Sequence, residues 1–137
     1  MPETHPGMVI LVVDDCRMTR HLLSMYLRGA GYDVIVAENG LEALEKLGEE
    51  SFAVVITDLN MPQMDGIEFT RSLKANPSFQ EIPVIMLTTQ CEDREHKSGL
   101  DAGVSTFLTK PITRDALIQE VHRLTSSLSE AVTTPGV

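Results

Sequence analysis

The chain has 137 residues, 42% of them hydrophobic and 23% charged, which suits one soluble globular domain. Its formal net charge of -9 argues against binding a nucleic-acid backbone, which needs a basic face. No apolar stretch approaches the roughly 20 residues of a membrane span, and the N-terminus lacks the charged and apolar segments of a signal peptide. We therefore expect a cytoplasmic protein with neither a membrane nor a nucleic acid as partner, and we also predict that it is a monomer.

Strand-like and helix-like segments alternate along the chain from residue 8 onward. In chain order, the predicted elements are strand 8–13, helix 16–28, strand 33–37, a short helix at 41–47, strand 52–57, helix 67–74, strand 83–88, helix 92–102, strand 105–109 and a last helix beginning at Thr113 or Asp115. The first strand is a continuous aliphatic run, as expected for a strand buried on both faces. Five strands in strict alternation with five helices predict an α/β fold, a doubly wound parallel sheet covered by helices on both faces.

Apolar periodicity predicts which side of each helix faces the core. In the first helix, Met18, Leu22 and Met25 fall on one stripe, which we expect to be buried. The fourth helix offers only Leu100 and Ala102 as an apolar face. We expect a disordered segment at 1–7, one domain at 8–127, and a tail at 128–137 without an effector domain.

Polar side chains follow four of the apolar runs. Asp14 and Asp15 come after the first, Asp58 after the third, Thr88 ends the fourth, and Lys110 follows the fifth. Parallel strands place such residues at one edge of the sheet, where ligands bind. Gathered carboxylates need a cation, a lysine suits an anionic ligand, and an aspartate can act as a phosphoryl acceptor. Each residue alone is a weak signal, but together they predict metal-assisted phosphoryl chemistry.

Four motifs resemble the receiver domain of two-component response regulators, particularly the stand-alone chemotaxis type. They are VVDD at 12–15, TDLNMPQMDG at 57–66, LTT at 87–89 and LTKPI at 108–112. The resemblance covers about residues 8–127 and implies a flavodoxin-like (βα)5 fold with strand order 2-1-3-4-5.

The resemblance implies a role for each residue of the acidic site. Asp58 would be the phosphoacceptor, and Lys110 would hold a phosphoryl oxygen. The cofactor would be Mg²⁺, with Mn²⁺ as a substitute, bound by the carboxylates of Asp15 and Asp58 and the backbone carbonyl of Asn60. Asp14 would act largely through a metal-bound water. The peptide bond between Lys110 and Pro111 would be cis, which proline allows.

The resemblance also implies a conformational switch. Thr88 would move toward the phosphoryl group and Phe107 would rotate inward, changing the face formed by the last two helices and the strand between them. Thr89 and Gln90 would adjoin the phosphoryl group. We hypothesise that the branched Thr89 side chain slows hydrolysis, while no sign is predicted for Gln90.

The resulting hypothesis is a signalling switch that takes a phosphoryl group from a sensor histidine kinase or a histidine phosphotransfer protein. It would act on no external substrate and would bind a downstream protein, in chemotaxis or motility signalling. Alternatives are a phosphorelay intermediate or phosphate sink, and a receiver that works without phosphate. An aspartate-nucleophile phosphatase would need an aspartate where Asn60 stands, and a flavodoxin-like electron carrier would need a hydroxyl- and glycine-rich loop where residues 14–17 read DDCR.

Overall fold

A computed structural model describes residues 8–89 and 93–133 of the chain. Its elements are β1 (Val9–Val13), α1 (Arg17–Gly29), β2 (Asp33–Ala37), α2 (Gly40–Leu47), β3 (Val54–Asp58), α3 (Gly66–Ala75), β4 (Val84–Thr88), α4 (Asp93–Ala102), β5 (Thr106–Thr109) and α5 (Arg114–Thr133). The predicted alternation is therefore confirmed, with boundaries shifted by one or two residues. The segment at 1–7, predicted to be disordered, and Gln90 lie outside the described residues. In the part of the chain that is described, no helix combines the length and apolar character of a membrane span.

The five strands form one parallel sheet in the order β2-β1-β3-β4-β5, which confirms the predicted fold class. Strand order reverses between β1 and β3, because β2 lies on one side of β1 and all later strands lie on the other. In such sheets the crevice beyond the carboxyl ends of the two strands is where ligands bind. The topology thus places any ligand site next to the residues that follow β1 and β3.

The core has two layers, one on each face of the sheet. Leu11 and Val13 pack with α2 and α3 on one face, while Ile10 and Val12 pack with α1 and α5 on the other. These β1 side chains have no solvent exposure, as the unbroken aliphatic run predicts. Burying each such aliphatic side chain contributes roughly 1.5–3 kcal/mol, so the sheet that positions the site is held firmly on both faces.

The predicted buried stripe of α1 is wrong. Met18 is 81% exposed and Met25 is 57% exposed, and Leu22 is exposed as well. Leu23 and Leu27 are buried instead. The helix carries two apolar stripes about one residue apart, and the one containing Leu23 and Leu27 packs on β1 and α5. The methionine stripe consequently faces outward.

Two other expectations about helices need correction. Leu100 is half-exposed, whereas Gly99 and Ala102 form the buried side of α4. The last helix continues to Thr133, so residues 128–133 are helical and the predicted tail begins too early. The helix begins after Thr113, whose hydroxyl accepts the N–H of Ala116 at 3.2 Å, which selects Thr113 over Asp115 as its cap.

Candidate functional site

The site lies at the carboxyl edge of the sheet, where four neighbouring strands end. Asp58 is the last residue of β3, Thr88 is the last of β4, Asp14 follows β1, and Lys110 follows β5. Backbone hydrogen bonds continue the ladder beyond the strands, from Leu59 N–H to the Leu87 carbonyl at 2.9 Å and from Lys110 N–H to the Thr88 carbonyl at 2.7 Å. The functional side chains therefore start from a fixed backbone.

Three carboxylates meet at this edge. Asp14, Asp15 and Asp58 each offer an oxygen, and these oxygens lie within 4.8 Å of one another. Asp14 and Asp58 are buried, while Asp15 is exposed to solvent. The structure thus brings together the three aspartates that we singled out from the sequence.

One oxygen of Asp14 is fixed and the other is available. Its Oδ1 accepts the backbone N–H of Cys16 at 2.8 Å, and an Arg20 guanidinium N–H donates to its carbonyl at 2.8 Å. Its Oδ2 is buried, accepts no hydrogen bond shorter than 3.5 Å, and lies 3.6 Å from the Lys110 Nζ. A buried carboxylate oxygen normally has such a partner. A small divalent cation that prefers oxygen ligands could bind this oxygen together with the two neighbouring carboxylates. The donor set therefore fits Mg²⁺.

Lys110 is the basic group within the cluster. Its Nζ lies 2.9 Å from Asp58 Oδ1 and 3.6 Å from Asp14 Oδ2. One lysine charge against three carboxylates leaves a formal charge of -2, by adding one positive and three negative charges. The cluster can therefore accept a divalent cation without becoming positive, and the same lysine is in reach of an anion bound at Asp58.

Burial and neighbouring charges shift the pKa values of Asp58 and Lys110. Burial raises the pKa of the Asp58 carboxyl, and the negative charges of Asp14 and Asp15 raise it further, although Lys110 opposes them. Burial alone would lower the pKa of the Lys110 ammonium, but its contacts with Asp58 and Asp14 outweigh burial and raise it. Lys110 therefore remains charged at neutral pH, as a phosphoryl-binding lysine must.

Gly66 positions the backbone of Asp58, a role that sequence reasoning missed. A Cβ at Gly66 would overlap the carbonyl oxygen of Asp58 and would lie 2.7 Å from the sulfur of Met86. The Gly66 N–H also donates to the Leu59 carbonyl at 2.8 Å. One sequence signal could have revealed this role. Gly66 directly follows Asp65, the N-cap of α3, and helix capping does not require a glycine at that position.

The remaining predicted residues lie around the cluster. Thr88 is buried and Thr89 is exposed, while Asn60 is exposed two residues after Asp58. Phe107 is half-buried, and its ring is stacked on that of His96. The peptide bond between Lys110 and Pro111 is cis, as the sequence motif implied. The roles of Asn60, Thr88, Thr89 and Phe107 stay predictions, because their positions agree with those roles without testing them.

The sequence matches a family and several characterised proteins. Residues 10–122 match the profile of the response regulator receiver domain. The chain is 40% identical over 117 residues to the chemotaxis protein CheY1 of Helicobacter pylori strain J99, covering 84% of this chain and 94% of that protein. It is 39% identical over 115 residues to the sensor protein EvgS of Escherichia coli K12, where the match spans 84% of this chain but 9% of EvgS.

Solved structures give the same likeness. The chemotaxis protein CheY4 of Vibrio cholerae superposes with a TM-score of 0.83 at 34% identity, covering 85% of this chain and 98% of that one. The receiver domain of the sensor histidine kinase PA1611 from Pseudomonas aeruginosa superposes with a TM-score of 0.81 at 27% identity, covering 88% and 98%. In that structure a magnesium ion is coordinated in the active-site cleft.

Proposed function

Because the chain belongs to the response regulator receiver domain family, we propose that it is a phosphorylation switch in which Asp58 accepts a phosphoryl group. The supporting observation is the cluster of two buried carboxylates and one exposed carboxylate, contacted by Lys110 at the sheet's carboxyl edge. Asp14, Asp15 and Asp58, with the backbone carbonyl of Asn60, would hold Mg²⁺, and Mn²⁺ would substitute. When bound, the cation supplies the charge neutralisation that phosphoryl transfer to a carboxylate requires.

The residues of the chain divide the chemistry between them. An Asp58 carboxylate oxygen forms a bond to phosphorus while the P–N bond of a donor phosphohistidine breaks, and the electron pair leaves with the imidazole nitrogen. Lys110, 2.9 Å from Asp58, holds an oxygen of the arriving phosphoryl group. The Thr88 hydroxyl contacts the same group, and Thr89 limits the approach of water. The phosphorylated protein acts on no external substrate.

The donor docks on α1, where three observations converge. Met18, Leu22 and Met25 form an exposed apolar ridge along this helix. The 13 residues of α1 include three arginines and no acidic residue, although the whole chain carries a net charge of -9. The ridge begins three residues after Asp15, the exposed member of the carboxylate cluster. A complementary partner is a helical surface with an apolar seam and acidic flanks that carries the phosphohistidine.

Phosphorylation itself is tested with a small-molecule donor. The protein is incubated with Mg²⁺ and acetyl phosphate, and the intact masses of the wild type and Asp58→Asn are compared. We expect the wild type alone to gain one phosphoryl group. A wild type that gains no mass under conditions that label a known receiver contradicts the proposal.

Donor docking is tested with candidate histidine kinases and histidine phosphotransfer proteins. The double variant Met18→Glu and Met25→Glu is compared with Leu41→Glu, which alters an apolar residue on α2 that is 52% exposed. We expect transfer from the protein donor to slow at least tenfold only in the double variant, with acetyl phosphate labelling unchanged. Equal transfer rates in both variants would place the docking surface elsewhere.

The output of the switch is noncovalent binding of a cytoplasmic partner. We infer that the face formed by α4, β5 and α5 binds it, and the likeness to chemotaxis proteins favours motility signalling. The similar identity to EvgS favours a phosphorelay intermediate as the second candidate. Passage of the phosphoryl group from Asp58 to a histidine phosphotransfer protein, assayed with the isolated phosphoprotein, distinguishes the second candidate from the first.

A further inference from the structure

Phe107 on β5 lies against a specific pair of residues on α4. Its ring stacks on that of His96, with the ring centroids 4.5 Å apart and the planes inclined by 28°. On the same helix, one turn further along, Gly99 lies under the ring. A Cβ at Gly99 would overlap Cζ of Phe107 and would lie 3.2 Å from its Cε1. The ring therefore occupies space that is open because residue 99 has no side chain. We call the surface formed by His96 and Gly99 the seat of the ring.

Backbone conformation does not call for a glycine at position 99, since the described glycines with positive φ are Gly31 and Gly103. Gly99 is in the interior of α4, where glycine is among the least favourable residues. It is buried while its neighbour Leu100 is half-exposed, so α4 turns its smallest residue toward the sheet. A helical glycine of this kind calls for a packing reason, and the ring of Phe107 supplies one.

The seat is connected to the candidate phosphorylation site through the ladder between β4 and β5. Met86 pairs with Phe107, and Thr88 pairs with Thr109. Because side chains alternate along a strand, those of Thr88 and Phe107 lie on the same face of the sheet as diagonal neighbours. The Lys110 N–H also donates to the Thr88 carbonyl at 2.7 Å. A movement of the Thr88 side chain toward Asp58 therefore takes place on the face of the sheet that carries the Phe107 ring.

We propose that His96 and Gly99 form a seat for the ring of Phe107, and that the strength of this seat sets how readily Asp58 takes a phosphoryl group. The inference rests on the proposed function of Asp58. The seat stabilises the half-buried position of the ring, which competes with deeper burial beside Thr88. If phosphorylation favours the deeper position, weakening the seat raises the affinity of the site for a phosphoryl mimic, since coupling between two sites is reciprocal.

Two variants disturb the seat in different ways. Gly99→Ala fills the space under the ring, and the ring is displaced because it is the movable neighbour. His96→Ala removes the stacking partner and leaves the space open. The matched controls are Gly29→Ala on α1, where a Cβ meets nothing within 4 Å, and His122→Ala on the exposed side of α5. Thermal melts of all four establish that each variant folds.

The first measurement is direct and needs no metal. Histidine ring signals are recorded by NMR in the metal-free protein, with His96 assigned from its absence in His96→Ala. The ring current of Phe107 is expected to shift the His96 signal, and Gly99→Ala should move it toward the position of an exposed histidine. An unchanged His96 signal in Gly99→Ala overturns the seat.

The second measurement tests coupling, with beryllofluoride and Mg²⁺ as the phosphoryl mimic. We expect both seat variants to bind it about fivefold more tightly than the wild type, the equivalent of about 1 kcal/mol, as for loss of one aromatic stacking contact. Both controls should match the wild type. If the wild type binds beryllofluoride and both seat variants bind it with the same affinity, the coupling is refuted. If the wild type does not bind beryllofluoride, the proposed function is refuted instead.

Discussion

Replacing Asp58 by asparagine is expected to stabilise the metal-free fold at neutral pH, although Asp58 forms the shortest ion pair of the site. At an effective dielectric constant of about 20, its attraction to Lys110 at 2.9 Å amounts to about 6 kcal/mol. Repulsion from a carboxylate at 4.8 Å amounts to about 3.5 kcal/mol at the same dielectric constant; the buried Asp14 exerts it in full, whereas solvent screens the exposed Asp15 and weakens its share. Repulsion therefore offsets most of the attraction to Lys110, and the burial of the Asp58 charge decides the sign of the change in stability. We expect Asp58→Asn to raise the free energy of unfolding by about 1–2 kcal/mol.

The assay is urea unfolding at pH 7 in the presence of a chelator, with Asp33→Asn as the control. Asp33 is an exposed aspartate at the start of β2, and its replacement should change stability by less than about 0.5 kcal/mol. Adding Mg²⁺ should first close the stability difference between the wild type and Asp58→Asn and then, near saturation, reverse it. The cation binds the folded wild-type cluster, and at a hundredfold excess over its Kd such binding adds about 2.7 kcal/mol.

The pH dependence provides an independent check. Because the pKa of Asp58 is raised in the folded chain above its usual value of 3.8, the folded chain takes up this proton first as the pH falls. The contribution of Asp58 to stability therefore improves with falling pH, and the advantage of Asp58→Asn should shrink in the acidic range. If Asp58→Asn is instead about 1 kcal/mol or more less stable than the wild type at pH 7 without metal, pairing with Lys110 outweighs burial and repulsion, and the reasoning fails.

Three further substitutions test other parts of the site. Lys110→Met should lower metal-free stability by about 3 kcal/mol, because it leaves two buried carboxylates uncompensated. The pKa of Lys110 is raised above its usual 10.5. In urea unfolding at increasing pH, the loss of stability in Lys110→Met, compared with the control Lys46→Met, should therefore persist until the pH exceeds the pKa of Lys110 in the folded chain. Gly66→Ala should cost about 3 kcal/mol by forcing the Asp58 carbonyl aside, whereas Gly29→Ala should not destabilise; equal melting temperatures for the two variants would contradict this reading. Thr89→Ala should shorten the lifetime of phosphorylated Asp58, measured by loss of phosphoryl mass after the donor is removed, and an unchanged decay rate would exclude crowding by Thr89.

The sheet and the site edge could be predicted because each depends on a local signal. A strand such as β1 is buried on both faces, so its sequence is aliphatic throughout and is followed abruptly by Asp14. Alternation with helices makes the strands parallel, and parallel strands bring their carboxyl ends together. The proximity of Asp14, Asp58 and Lys110 follows from those two facts, although their distances do not.

Contacts between distant segments could not be predicted in the same way. The closeness of Gly66 to the Asp58 carbonyl depends on how α3 settles on β3 and β4, which no periodicity reports. The same holds for Gly99 under Phe107, since a glycine in a helix reveals that something is close but not what. In both places the sequence shows a glycine that the helix itself does not need, and packing decides which residue it contacts.

The error on α1 has a different origin, because its apolar pattern was real. Periodicity identifies apolar stripes and assumes that each one serves the core. In α1 the core needs the stripe of Leu23 and Leu27, while Met18, Leu22 and Met25 remain exposed on a helix without acidic residues. Such a stripe exposes apolar surface to water. Burying that surface against a partner would contribute roughly 25 cal/mol per Å² to the free energy of binding. This exposed stripe, which begins three residues after Asp15, is the reason why we propose the wrongly assigned face of α1 as the surface that the phosphodonor contacts.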